Sequence, residues 1–226
     1  MAKTYSIAID GPAGAGKSTI AKRLAKELGF KYVDTGALYR TVAYFLDLLG
    51  VSPKDVDGVE RYIDELNVEI QYDEDGTQHM IMNGMDVSGD IRTQDISQKA
   101  SLVSAHAVVR EALLDMQRNV AKNYNVIMDG RDIGTVVLPN ADVKIFLTAS
   151  AEVRAKRRTD ELIAKGQTAV FETVLKEIEQ RDYQDTHRPI APLKMAKDSV
   201  KLDTSDLDIE GVVAAMRKII VEKISV

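Results

Sequence analysis

The residues with the clearest chemical content are Gly11-Pro12-Ala13-Gly14-Ala15-Gly16-Lys17-Ser18, which fit G-x-x-x-x-G-K-[S/T] in full. They follow a short apolar run, Tyr5 to Ile9, and open a segment with helical periodicity. That context makes the motif a loop for the phosphates of a nucleoside triphosphate. Glycines let backbone N–H groups converge on phosphate oxygens without a clashing Cβ. The helix N-terminus adds partial positive charge and free donors. Lys17 is placed to reach the β and γ phosphates and the Ser18 hydroxyl to ligate Mg²⁺. Thr19 adds a hydroxyl one residue further on.

A second set of polar residues follows predicted strand ends. Asp34-Thr35-Gly36-Ala37-Leu38-Tyr39-Arg40 comes after a strand over Lys31 to Val33. Asp129-Gly130-Arg131-Asp132-Ile133-Gly134 comes after Asn125 to Met128. Loops at the carboxyl ends of parallel strands are where such sheets bind ligands, so Arg40 and Arg131 read as functional. Arg154, Arg157 and Arg158 begin a charged helical stretch, and Arg181, Asp185 and Arg188 share one face of the next helix. These arginines are the expected source of local positive charge. Taken singly, Arg154, Arg157 and Arg158 are also what a solvated helix face looks like. Asp129 and Asp34 are candidates to help hold Mg²⁺ through water, or to cap turns. His79, His106 and His187 have no visible catalytic partner and read as structural or exposed.

These residues need a frame. Strand, helix, strand, helix from Tyr5 to Leu49 points to a parallel sheet with covering helices. The pattern changes from Val51 to about residue 95: a short helix over Asp57 to Leu66, alternating Val68 to Tyr72, then two strands about Asn83-Gly84. An Asn-Gly pair between such runs is a hairpin signal, so the region reads as a small antiparallel insert whose core Met80, Met82 and Met85 would fill. One helical stretch is expected over Ile96 to Ala121, strands over Val143 to Leu147 and Ser199 to Leu202, and a last helix over Ile209 to Lys223 capped by Asp206 or Asp208.

Composition bounds the rest. The 226 residues suit one α/β domain, and 30 basic against 35 acidic residues give a net charge of −5. That balance argues against a non-specific nucleic-acid binder. The absence of cysteine excludes disulfides, Cys-ligated zinc and a thiol nucleophile, and suits a reducing cytoplasm. No apolar run approaches the ~20 residues of a membrane span. The chain lacks a guanine-reading Asn-Lys-x-Asp, the nearest stretch being Val200-Lys201-Leu202-Asp203, and lacks Leu-Ser-Gly-Gly-Gln. A small-molecule kinase fits the length; a cytoplasmic protein is the expectation from composition, and a monomer from the lack of a long apolar stripe that would ask for a partner.

Together these segments resemble bacterial cytidylate kinase: Ile9-Asp10-Gly11-Pro12 with the phosphate loop, Asp34 to Arg40, Asp86-Val87-Ser88 with Ile91-Arg92, Asp129 to Val137, Lys144 to Leu147, and Arg181-Asp182 through Arg188-Pro189. The resemblance implies a five-stranded parallel sheet flanked by helices, a monophosphate-binding insert over 51–95 and a lid over 151–167. It implies transfer of a phosphoryl group from ATP to CMP or dCMP with Mg²⁺. By motif, Thr35, Tyr39, Arg40, Arg131 and Arg188 would surround the CMP phosphate. Ser101, Arg110 and Asp132 would read the cytosine, and Arg181 and Asp185 would contact the ribose. Arg154, Arg157 and Arg158 would belong to the lid, with Arg154 and Arg157 on the ATP side. Lys17, Arg131, Arg188 and Arg158 would carry the transfer. A carboxylate at Asp132 suits the cytosine amino group, which uracil replaces with a carbonyl. Two alternatives stand beside this: a kinase of another small acceptor, such as a different nucleoside monophosphate or shikimate, and a non-catalytic nucleotide-binding protein.

Overall fold

The computed structural model describes residues 3–224. In chain order, β1 (Ser6–Asp10) leads to α1 (Lys17–Leu28), and β2 (Lys31–Asp34) to α2 (Thr35–Leu48). A short helix, α3 (Val56–Tyr62), precedes β3 (Val68–Tyr72), β4 (Gln78–Met82) and β5 (Met85–Asp86). Helices α4 (Gln94–Val103) and α5 (Ala107–Asn123) follow, then β6 (Val126–Gly130) and β7 (Val143–Thr148). The chain ends with α6 (Ala151–Ala164), α7 (Phe171–His187), β8 (Val200–Asp203) and α8 (Ile209–Lys223).

The main sheet is parallel, in the order β2-β6-β1-β7-β8. A parallel sheet is covered on both faces, so its central strands are apolar without alternation; every residue of β6 is buried. Ile7, Ile9, Ile127 and Ile145 meet Ile20 and Leu24 of α1 and Met216 and Ile220 of α8 on one face. Ala8, Val33 and Met128 meet Ile133 and Val137 on the other. Each such Ile or Leu, fully buried, contributes about 2 kcal/mol. Register sets the site: Asp10 of β1 pairs with Gly130 of β6, and Asp34 of β2 with Asp129. Three loops therefore leave the sheet side by side at one edge.

The antiparallel insert is present as β3-β4-β5, with Asn83 and Gly84 at φ 49° and 83° in its tight turn. It is bound to the exposed edge of the main sheet: the Tyr72 hydroxyl donates to the Tyr32 carbonyl at 2.9 Å, and Gln78 Oε1 accepts from the Asp34 N–H at 2.7 Å. Two expectations change. Met80 and Met82 are buried, but they join the core of α2, α4 and α5 instead of filling a separate one, and Met85 is 58 % exposed. Met85 lies next to the turn on a two-residue strand, with no layer over it. The expected single helix over Ile96 to Ala121 is two helices broken at Ser104-Ala105-His106. No glycine or proline marks the break. It is a tertiary effect: His106 takes an extended conformation and bonds to the Pro53 carbonyl, while Ser104 Oγ donates to the Ser101 carbonyl.

Candidate active site

The phosphate loop begins where β1 ends. A Cβ on Gly11 would lie 1.9 Å from the Leu147 carbonyl oxygen, so only glycine lets the loop turn there. Gly16 caps α1 at φ 86° with no side-chain bond to the first N–H groups, which remain available to an anion. The Lys17 ammonium is buried and donates to the Pro12 carbonyl at 2.7 Å. Burial, and then the neighbouring Arg131, push it down to about 7. Ser18 Oγ donates to Asp129 Oδ2 at 2.9 Å, and the Tyr32 hydroxyl to Asp129 Oδ1 at 2.7 Å. Burial, with Asp34 nearby, raises the Asp129 carboxyl above its usual range.

Opposite the loop stands a group of arginines, most of them held by aspartates from other elements. Arg40 pairs with Asp34 at 2.9 Å, while the other oxygen of Asp34 caps α2 through the Ala37 N–H. Arg131 Nε donates to Asp185 Oδ2 at 2.7 Å. Burial opposes ionisation of Asp185, but Arg131 and Arg181 hold its carboxyl below the usual range. Asp132 is shared: Arg110 takes one oxygen and Arg188 the other, at 3.0 Å for Arg188. Ser104 joins the same network, its carbonyl accepting from Arg110 at 3.3 Å and its hydroxyl from Arg188 at 3.2 Å. Arg181 has no carboxylate against it among the described residues, and its buried Nε has no hydrogen-bond partner. Burial and Arg131 push its guanidinium down to about 10. Lys17, Arg40, Arg131, Arg181, Arg188, Arg110, Asp132 and Asp185 thus form one charged cluster at the loop edge.

Other anticipated residues are placed differently. Thr35 Oγ1 donates inward to the Asp129 carbonyl at 2.7 Å, tying α2 to β6. Tyr39 lies under the Arg110 guanidinium, 5.6 Å from the ring centre, and burial pushes its hydroxyl up. Ser101 reaches the cluster through its carbonyl, which accepts from Ser104. Arg154 is buried and already fully engaged: two bonds to Asp182 at 2.6 and 3.0 Å, one to the Ala149 carbonyl and one to the Ala13 carbonyl of the phosphate loop. Arg157 turns to the Thr204 and Leu207 carbonyls. Arg158 stands outside the cluster, 39 % exposed and paired with Glu161 of its own helix. The histidines are not catalytic in placement: His79 bonds Asp73 and Asp86 on the insert surface, His106 the Pro53 carbonyl, and His187 stacks on Tyr183. Asp182, Ser104 and Tyr32 were not among the anticipated residues. Their roles are contacts to residues distant in sequence, and only the Asp182 side of the Arg181-Asp182 pair gave any prior signal. No helix among the described residues is long and apolar enough to cross a membrane.

The fold recurs in a solved structure of an uncharacterised protein from Eubacterium ventriosum, with a TM-score of 0.51 at 15 % identity over 97 % of this chain and 99 % of that one. Residues 7–222 match the family model described as cytidylate kinase. The cytidylate kinase of Ligilactobacillus salivarius is 49 % identical over 99 % of each chain. That of Exiguobacterium sp. is 46 % identical over 98 % of this chain and 99 % of its own. The chain belongs to the cytidylate kinase family, whose activity is transfer of the γ-phosphoryl group of ATP to CMP or dCMP.

Proposed function

We propose that the charged cluster performs this transfer with the phosphate loop holding ATP and the arginine–aspartate network holding the monophosphate. The observation that carries the reading is Asp132, whose carboxylate is shared by Arg110 and Arg188 directly beside the loop that presents Arg131. Asp132 accepts from the cytosine 4-amino group, and Arg110 donates to the ring acceptors. Arg40, Arg131 and Arg188 hold the monophosphate, Arg181 and Asp185 the ribose. Segment 151–167 acts as the lid, with Arg154 fastening its base to the phosphate loop.

The donor set at Ser18 and Asp129, a hydroxyl and a carboxylate, fits a hard cation that keeps most of its water. Ser18, and Asp129 through water, would hold Mg²⁺, which would supply charge neutralisation on the triphosphate. Asp34 is committed to capping α2 and to Arg40, which leaves Asp129 as the better second partner.

The nucleophile is an oxygen of the CMP phosphate, already largely ionised near neutral pH, so no general base is required. It attacks the γ-phosphorus, the bond to the β-γ bridging oxygen breaks, and ADP leaves with that oxygen. What the protein supplies is alignment and charge: Lys17 and the arginines offset repulsion between two polyanions as charge moves to the bridging oxygen. A coupled ADP-release assay over CMP, dCMP, UMP, AMP and shikimate tests the reading. Turnover is expected with CMP and dCMP, weak turnover with UMP, and none with shikimate. Faster turnover with AMP than with CMP would overturn the assignment of the base-reading residues.

A further inference from the structure

Ile133 to Val137 form one short helical turn beside the proposed acceptor site. Asp132 stands in its N-cap position, its carbonyl accepting from Val136 N at 2.9 Å and Val137 N at 3.2 Å. An aspartate in that position ordinarily turns its carboxylate back onto the first N–H groups of the turn. Asp132 makes no such bond. Its two oxygens are taken by Arg110 and Arg188.

The cap is supplied from elsewhere. Asp10, the last residue of β1, accepts from Ile133 N and from Gly134 N, both at 2.7 Å. Asp10 is 3 % exposed, and no cation pairs with it among the described residues. Burial, against the pull of the two amides, pushes its carboxyl up to about 6. Gly134 leaves room for the approach: a Cβ there would stand 3.2 Å from Lys144 Cδ and 3.3 Å from Asp10 Oδ2. A buried carboxylate without a counter-ion is costly. This one has no place in the transfer described above, since its oxygens are turned to the backbone of the turn.

We propose that Asp10 is a positioning residue for base selection: by capping the Ile133 turn in place of Asp132, it leaves the Asp132 carboxylate with Arg110 and facing the base. The inference rests on Asp132 as the residue that reads cytosine. Without Asp10, two buried N–H groups lose their acceptor, a cost the structure relieves by any nearby carboxylate. Asp132 itself already stands in the N-cap position, and turning its carboxylate inward takes it from Arg110. Asp10 thereby couples the strand that starts the phosphate loop to discrimination at the other substrate.

The test is kcat/KM for CMP and for UMP at saturating ATP, in wild type, D10N, D10A, D132A and the D10A/D132A double variant. D10A is expected to lower the CMP/UMP ratio by about tenfold, on the scale of one unpaired buried donor. D10N, an isostere that retains one acceptor, is expected to lower it less. The double variant is expected to match D132A alone, because both changes remove the same interaction. KM for ATP is expected to stay within about twofold, a readout that general loosening of the fold would move. An unchanged ratio in D10A beside a reduced one in D132A overturns the proposal, as do effects that multiply in the double variant. Failure of both Asp10 variants to fold also overturns it, since Asp10 would then serve the fold and not the site. An unchanged ratio in D132A removes the base-reading role and this inference together, and is seen without any Asp10 variant.

Discussion

The two halves of the proposed site, the donor side at the phosphate loop and the acceptor side at the arginines, are built in different ways. On the donor side, eight consecutive residues supply nearly everything: a turn of glycines, the N-terminus of α1, and one lysine bonded to a carbonyl five residues back along the same loop. On the acceptor side, no two partners are local except Arg40 and Asp34. Arg131 meets Asp185, Arg188 meets Asp132, and Arg110 meets the same Asp132 from α5. A triphosphate can be held by backbone N–H groups, because every residue has one and a loop can converge them. A monophosphate and a base need side chains at set positions, and burying those side chains as charges is costly without a counter-ion, which every arginine of the cluster but Arg181 has among the described residues. The acceptor side is therefore an ion-pair lattice, and its members can be set only by the packing of helices against the sheet.

Four measurements would break or sharpen that contrast. The largest effect is expected for Lys17→Ala, about a thousandfold or more in kcat, as for removal of other charges that face a transferring phosphoryl group. CD should show an unchanged fold; near-normal turnover would end the idea that the donor side depends on a single local side chain. Next comes Arg188→Ala, expected to lower kcat/KM for CMP by about a hundredfold with little change in KM for ATP. Its Tm should fall only a few degrees, because Arg110 still satisfies Asp132. An equal loss for both substrates would show that the halves are not separable.

Arg154→Ala is expected to act on stability more than on transfer. It removes one partner of a buried pair with Asp182 and frees the Ala13 carbonyl, which should cost about 3 kcal/mol in urea unfolding and raise KM for ATP several-fold. A large fall in kcat with stability intact would instead make it a transfer residue. The smallest effect is a proton. Lys17 in the free enzyme sits at about 7, below its ordinary 10.5, so it is mostly neutral at pH 8. Phosphate favours the charged form, so ATP binding at pH 8 should take up close to one proton, and less as pH falls through 7. Calorimetry in buffers of differing ionisation enthalpy reads this directly, and Lys17→Arg, charged at all these pH values, should abolish the uptake.

The same contrast explains what was legible beforehand. The phosphate loop, the strand before it and α1 after it follow from local pattern alone, as does the Asn83-Gly84 turn; for the cap of α8 the pattern leaves Asp206 or Asp208, and the structure takes Asp208. Arg40 and Arg131 were visible because they follow strand ends beside glycine, and those ends do align. Ser104 was not visible: the break between α4 and α5 has no breaker residue, and it exists because His106 is held by Pro53 and Arg110 is turned toward Asp132. Asp10 read as the end of a strand, since nothing in its neighbours shows that the amides of Ile133 and Gly134 arrive there. Arg154 and Arg158 are four residues apart on one charged helix, yet one is buried on the phosphate loop and the other is in solvent.

By itself the sequence determined the order of strands and helices apart from the break between α4 and α5, the glycine-rich loop that carries Lys17 and Ser18 into α1, the insert and its turn, and a family likeness specific enough to name both substrates. Those depend on short-range propensity, on periodicity and on short contiguous motifs. The tertiary structure decided which arginine faces which aspartate, that Thr35 and Arg154 spend their polar atoms inward, that Met85 lies outside the core, and that Asp10 caps a turn in place of Asp132. The reason is that a side chain's burial and its polar partners decide its state, and for nearly all of these residues both are set by segments far away in the chain.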